Sequence, residues 1–313
     1  MSAGEAAGEI SGELIRHANF KSRFVEPRNV DVWLPTNYDP GGERSYNVVY
    51  LHDGQNLFNP SEAFAGIDWG IHESLSLLME TGQIQDTIAV GIWNTPKRLL
   101  RYMPKRPFEM VRDSEAAELF AELNNGASPA SDRYLDFIVA ELKPFIESNY
   151  RVKTDAASSV IMGASMGALV SLYAVCEYPT VFGSAGCLST SWTITGAPFV
   201  HYLEHHLPQA GVHKFYFDYG QEKRIDGYES FQTEVTSLAS AKGYRAGLDW
   251  TVKTFPDHDH SERSWRERVS IPLKFLLGPA GMGATARRAS VYAPNAFGAS
   301  SERPLTPDVD AHR

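Results

Sequence analysis

The segment SSVIMGASMGALVSLYAV, residues 158–175, constrains this chain more than any other. It sets Gly163-Ala164-Ser165-Met166-Gly167 between an apolar strand-like run and an apolar helix-like run. In that context G-x-S-x-G reads as a sharp strand-to-helix turn that holds its serine in a strained backbone conformation. Side chains at the two glycine positions are expected to clash. Ser165 Oγ is then presented at the start of a helix, and the backbone N–H of Met166 points to where an oxyanion would form. The competing reading is a glycine-rich turn whose serine merely caps the helix.

The rest of the chain alternates in the same way. Strand-like runs fall at 19–25, 29–35, 46–52, 87–93, 158–163, 183–189, 214–219 and 249–255. The first two alternate apolar and polar residues, as exposed antiparallel strands do; the later ones are more continuously apolar, as buried parallel strands are. Helix-like segments lie at 67–80, 131–149, 166–177, 227–242 and 261–277. The order predicts an α/β domain with a mostly parallel central sheet and helices on both faces, its active site beyond the carboxyl ends of the strands. With no internal repeat, one domain is expected over 16–279. Residues 1–15, rich in Gly, Ala and Glu, read as a flexible N-terminus, and 280–313, rich in Gly, Ala, Ser and Pro, as a disordered tail.

A serine nucleophile needs a base and an acid, which follow such a motif in the order Ser, acid, His. The last strand-like run ends in Phe255-Pro256, and Asp257-His258-Asp259-His260 follows before a helix. His260, next to that helix, is the favoured base; His258 reads as a loop histidine. The acid belongs after the preceding strand, in Gly220-Gln221-Glu222-Lys223-Arg224-Ile225-Asp226-Gly227. Asp226 is the first choice and Glu222 the alternative, while Asp218 reads as part of the strand. Asp226 also suits a helix N-cap. After strand 46–52 comes Asp53-Gly54-Gln55-Asn56, where Gly54 and Gln55 are candidates for the second oxyanion donor, against a plain Asp-Gly turn. Trp93-Asn94-Thr95 and Ser191-Trp192 follow other strands, and Trp192 is a candidate for contact with the acyl group.

Taken together, LHDGQNLF (51–58), GIWNT (91–95), GASMG (163–167), FDYGQEKRID (217–226) and His260 with Trp265 five positions on resemble the putative-esterase family, which includes enterochelin esterases, feruloyl esterases and esterase D-like enzymes. The resemblance runs from about residue 19 to 277. It implies an α/β-hydrolase fold, a Ser–His–acid mechanism through an acyl-enzyme, carboxylic-ester hydrolysis, a small-molecule ester as partner, and neither metal nor cofactor. It also supports His260 over His258. Some feruloyl esterases carry Asp three positions after the glycine of the acid loop; Lys223 stands there in this chain, so Asp226 and Glu222 both stay open.

Composition narrows the alternatives. The net charge of −9 gives no electrostatic footprint for nucleic acid. No run of about 18 apolar residues suggests a membrane span, and the N-terminus lacks an apolar core for a secretory signal, so a cytoplasmic location is the expectation. Cys176 and Cys187 read as buried reduced thiols rather than a disulfide framework. A metal-dependent hydrolase could draw on 257–260 and His52-Asp53, but no H-x-H-x-D-H or H-E-x-x-H pattern occurs, and the glycine-framed serine would be left without a role. Two further alternatives share the fold: acyl transfer to an alcohol other than water, and a non-catalytic binding protein.

Overall fold

The computed structural model describes residues 10–112, 115–224 and 227–279, all within the unit Met1–Pro279. Among them, eight strands form one sheet in the order β1-β2-β4-β3-β5-β6-β7-β8. The strands are β1 (Glu13–Phe20), β2 (Arg28–Leu34), β3 (Asn47–His52), β4 (Thr87–Ile92), β5 (Ser159–Ala164), β6 (Ser184–Leu188), β7 (Lys214–Tyr219) and β8 (Trp250–Thr254). β2 runs antiparallel to β1 and β4, and β3 to β8 are parallel. The helices are α1 (Ile71–Glu80), α2 (Arg98–Tyr102), α3 (Lys105–Glu109), α4 (Glu115–Leu123), α5 (Ser131–Phe137), α6 (Lys143–Asn149), α7 (Met166–Glu177), α8 (Trp192–His206), α9 (Tyr228–Ala241), α10 (Glu262–Arg268) and α11 (Ser270–Leu277). This is the α/β-hydrolase arrangement.

The two-residue period of a strand divides its side chains between two cores. On β3, Val48 and Tyr50 enter one hydrophobic cluster with Leu135, Leu169, Tyr173, Phe199 and Val235 from α5, α7, α8 and α9. Val49 and Leu51 enter the other, with Ile71, Leu75, Trp265, Leu273 and Leu276 from α1, α10 and α11. Both faces of the central strands are thus apolar, which is why their sequences read as continuous runs. Each such side chain contributes about 1.5–3 kcal/mol relative to exposure. Cys176 and Cys187 are both buried free thiols, and burial pushes both upward from the ordinary thiol range. No helix among the described residues is long and apolar enough to cross a membrane.

Several elements differ from the sequence expectation: the short helices α2, α3 and α4 were not expected, and the helix expected over 131–149 is interrupted by a π-helical turn at Ile138–Leu142. The first strand is Glu13–Phe20 rather than 19–25, and so begins within the segment read as a flexible terminus. It is a half-exposed edge strand whose weak apolar signal is broken by a bulge between His17 and Phe20, with Asn19 at φ 51°. α1 starts at Ile71, not 67, because Gly70 at φ 59° caps it. The helix expected over 261–277 is divided at Val269. α8 was not expected at all: Gly196, non-helical at φ 55°, and Pro198 interrupt it and disguise its helical period. The readings of 1–9 and of 280–313 lie outside the described residues.

Candidate active site

β5 ends at Ala164 and α7 starts at Met166, so Ser165 alone turns the chain. It does so at φ 59°, ψ −122°, a conformation that costs a non-glycine residue on the order of 1–3 kcal/mol. Its side chain makes no capping bond to α7, which removes the reading of a helix-capping serine. Instead Ser165 Oγ hydrogen-bonds Ser191 Oγ at 2.9 Å. The two glycines of the motif prove unequal. A Cβ on Gly163 would lie 2.8 Å from the Gly167 carbonyl carbon, whereas one on Gly167 would meet nothing nearer than His52 Cβ at 3.4 Å and Asp53 Oδ2 at 3.6 Å, ordinary contacts. The expected clash therefore holds at Gly163 and is corrected at Gly167. Chemical denaturation should find Gly163→Ala destabilised by about 1–3 kcal/mol, as overpacking costs, and Gly167→Ala close to the parent.

The loop after β7 and the loop after β8 meet beside the turn. Gly220 N donates to Glu222 Oε2 at 2.5 Å, and Gln221 N donates to the His258 carbonyl at 2.8 Å. A Cβ on Gly220 would stand 2.1 Å from that same carbonyl oxygen, so only glycine permits the approach of the two loops. The tie aligns Glu222 Oε1 with His260 Nδ1 at 2.9 Å. The Glu222 side chain is 3% exposed and the His260 ring 42%. Burial pushes the Glu222 carboxyl up, but hydrogen bonds from His260, Ser189 and the backbone outweigh this and hold it at about 2. Of the two acids left open by the sequence, Glu222 is thus the partner of His260; Asp226 lies outside the described residues. Asp218 stays within β7, where it is fully buried and paired with Arg268 at 3.0 Å. His258 Nδ1 faces the Ser264 carbonyl at 3.2 Å.

Ser165 and His260 line one cavity of about 400 Å³, together with Asp53, Gln55, Asn56, Phe64, Trp69, Asn94, Arg98, Glu262 and Trp265. Another cavity, of about 460 Å³ against the β1–β2 edge, includes none of the predicted site residues. Asp53 turns the chain after β3 at φ 56° and starts a 3-10 turn over Gly54–Asn56. That turn brings Gln55 to the cavity, where its Oε1 accepts the Asn94 N–H at 3.2 Å. Arg98 donates through Nε and Nη2 to the two oxygens of Asp53, each at 2.8 Å, and Asn94 Nδ2 adds a third bond at 2.6 Å. Burial raises the Asp53 carboxyl, yet Arg98 and Asn94 hold it below its usual value. This wall of the cavity is therefore an ion pair already matched within the protein. Sequence reasoning missed Arg98, which precedes no motif and reaches Asp53 only through the fold.

The assignment of Trp192 to the acyl pocket is corrected. Its ring is 1% exposed, stacks on Phe217 at 5.9 Å and donates Nε1 to Gln232 Oε1 at 3.0 Å, in the core beneath α9. Its neighbour Ser191 is the residue of that loop which touches Ser165. Met166, the first residue of α7, is buried, and its N–H belongs to the opening turn that lacks intrahelical acceptors. Among the described residues, the ligand-type side chains of the metal-hydrolase alternative form no group of three within ligand reach of one another; His52 is buried with Nδ1 on the Tyr134 hydroxyl at 2.9 Å, and burial lowers its imidazole to about 3.

A profile of the putative-esterase family matches residues 22–269. An uncharacterized Bacillus subtilis protein, YbbA, is 27% identical over 205 residues, spanning 61% of this chain and 66% of the relative, just under two thirds. Among solved structures, an IroE-like serine hydrolase from Shewanella oneidensis superposes with a TM-score of 0.61 at 23% identity, covering 84% of this chain and 78% of that one. The enterobactin esterase of Shigella flexneri gives 0.60 at 17% identity, covering 86% of this chain and 60% of the other. At these identities the structural likenesses speak for the fold.

Proposed function

Since the chain belongs to the esterase family, we propose that it hydrolyses a small-molecule carboxylic ester through a Ser165–His260–Glu222 triad and an acyl-enzyme. The observation that carries this reading is the meeting of a strained Ser165 with the His260–Glu222 pair on one cavity. His260 Nδ1 is engaged by the carboxylate, which leaves Nε2 to take the proton of Ser165 as Oγ attacks the ester carbonyl. Glu222, anionic over the working pH range, stabilises the imidazolium and fixes its tautomer. The unliganded Ser165 hydroxyl rests on Ser191; catalytic hydrogen bonds often tighten only in the substrate complex. The Met166 N–H, with a backbone N–H of the Gly54-Gln55 turn, is proposed to hold the oxyanion. His260 then activates the water that releases the acid.

Labelling the pure protein with a fluorophosphonate, followed by peptide mapping, tests the scheme. We expect a single label on Ser165 and turnover of p-nitrophenyl acetate or butyrate or of a feruloyl ester. Neither label nor turnover would leave the binding-protein reading.

A further inference from the structure

Glu222 is held from behind as well as from the front. Beyond His260 Nδ1 and Gly220 N, the Ser189 hydroxyl stands close enough to help hold its carboxyl down. Ser189 Oγ itself receives Nη2 of Arg268 at 2.8 Å and Nε1 of Trp265 at 3.1 Å. Both are groups that can only donate, and a hydroxyl has two lone pairs and one proton. With both lone pairs filled, the Ser189 hydroxyl has only its proton left to offer Glu222. Arg268 is in turn fixed by Asp218 at 3.0 Å, and the Tyr216 hydroxyl donates to the second Asp218 oxygen at 3.1 Å. Arg268, Asp218 and Ser189 are essentially inaccessible to solvent. Ser189 also sits at φ 45°, where glycine would be relaxed, so its backbone strain is borne by a residue whose side chain holds both Arg268 and Trp265.

We propose that Ser189 is a positioning residue of the site: its hydroxyl, oriented by Arg268 and Trp265, locks Glu222 in the rotamer that meets His260. The proposal rests on the Ser165–His260–Glu222 reading. Its test is a double-mutant cycle in kcat with Ser189→Gly and Glu222→Gln. Ser189→Gly relaxes the backbone and removes the hydroxyl. We expect kcat to fall about 10–100-fold, as for loss of other outer-shell partners, with KM nearly unchanged and Ser165 still labelled by a fluorophosphonate. Ser189→Ala, which keeps Cβ, should behave alike. In the Glu222→Gln background neither change should cost anything further. A loss of equal size in both backgrounds, an effect of glycine without alanine, or full kcat in Ser189→Gly would each overturn the proposal. Failure of the triad reading is separate: it would appear as wild-type kcat in Glu222→Gln itself.

A different cluster lies on α8. Among the described residues, one group of metal-type ligand atoms gathers within 4.8 Å: those of His201, Glu204 and His205, all exposed. Their i, i+3, i+4 spacing places them on one helix face, and His201 Nδ1 lies 2.9 Å from Glu204 Oε2. The group stands at the carboxyl end of α8, whose partial charge favours a cation. Two imidazoles and a carboxylate suit zinc or a neighbouring divalent transition ion, with water completing the shell. We infer that this face is a surface site for such an ion, independent of ester chemistry. Calorimetric titration of untagged full-length protein with ZnCl₂ should give one saturable event that weakens in His201→Ala and in His205→Ala and is lost in the double variant. Absence of binding, or binding undiminished in the double variant, would overturn it.

Discussion

Ser165→Ala is expected to lower kcat for ester hydrolysis by about a million-fold, the scale seen when a nucleophile that acts as a unit with its base is removed. The expectation follows from geometry rather than motif alone. Ser165 occupies a backbone conformation that serves no capping purpose, and its Oγ opens onto the cavity that His260 lines. Alanine keeps the turn, relaxes nothing and removes one oxygen, so Tm should stay within a few degrees of the parent. Residual catalysis over water would come from the oxyanion donors and from binding. Single-turnover measurements with p-nitrophenyl esters check this. A variant that retains most of the activity would remove Ser165 from the chemistry.

The second large effect belongs to Glu222. Glu222→Gln preserves shape but exchanges an anion for an amide beside His260 Nδ1, so the imidazolium of the transition state loses its counter-charge and the tautomer its anchor. A fall in kcat of about 10⁴-fold is expected. Asp226→Asn, made in parallel, should leave kcat near the parent value; the reverse pattern would transfer the role to Asp226. Glu222 also leaves a signature in stability. Its carboxyl is held at about 2 in the folded protein, against about 4.3 in an unfolded chain. Between those values the unfolded state binds more protons, so the stability this group contributes is complete above the unfolded value and is lost as pH falls towards 2. The stability difference between wild type and Glu222→Gln should therefore shrink over that window in acid denaturation.

Much of the fold was legible because its signals are local. β7 and α7 coincide with their predicted ranges, and most strand boundaries agree within a residue, because a two-residue period or an unbroken apolar run is written along the chain itself. Ser165 and His260 were legible for the same reason: each is tied to an element boundary that the sequence marks. α8 was not legible, since Gly196 and Pro198 interrupt it, and Trp192 was misplaced with it. Glycine spacing could name Gly163 and Gly167 but could not distinguish a clash at one from open contact at the other.

What the sequence determined by itself was the class of the fold, the turn that carries Ser165 and the loop that carries His260. Periodicity and turn chemistry act between near neighbours and need no knowledge of distant residues. Only the tertiary structure decided that Glu222 meets His260, that Ser189 and Arg268 stand behind it, and that Arg98 closes on Asp53. Those partners lie tens of residues apart. Adjacent parallel strands end at one edge of the sheet, and that shared edge, not any spacing along the chain, brings their loops within hydrogen-bond reach.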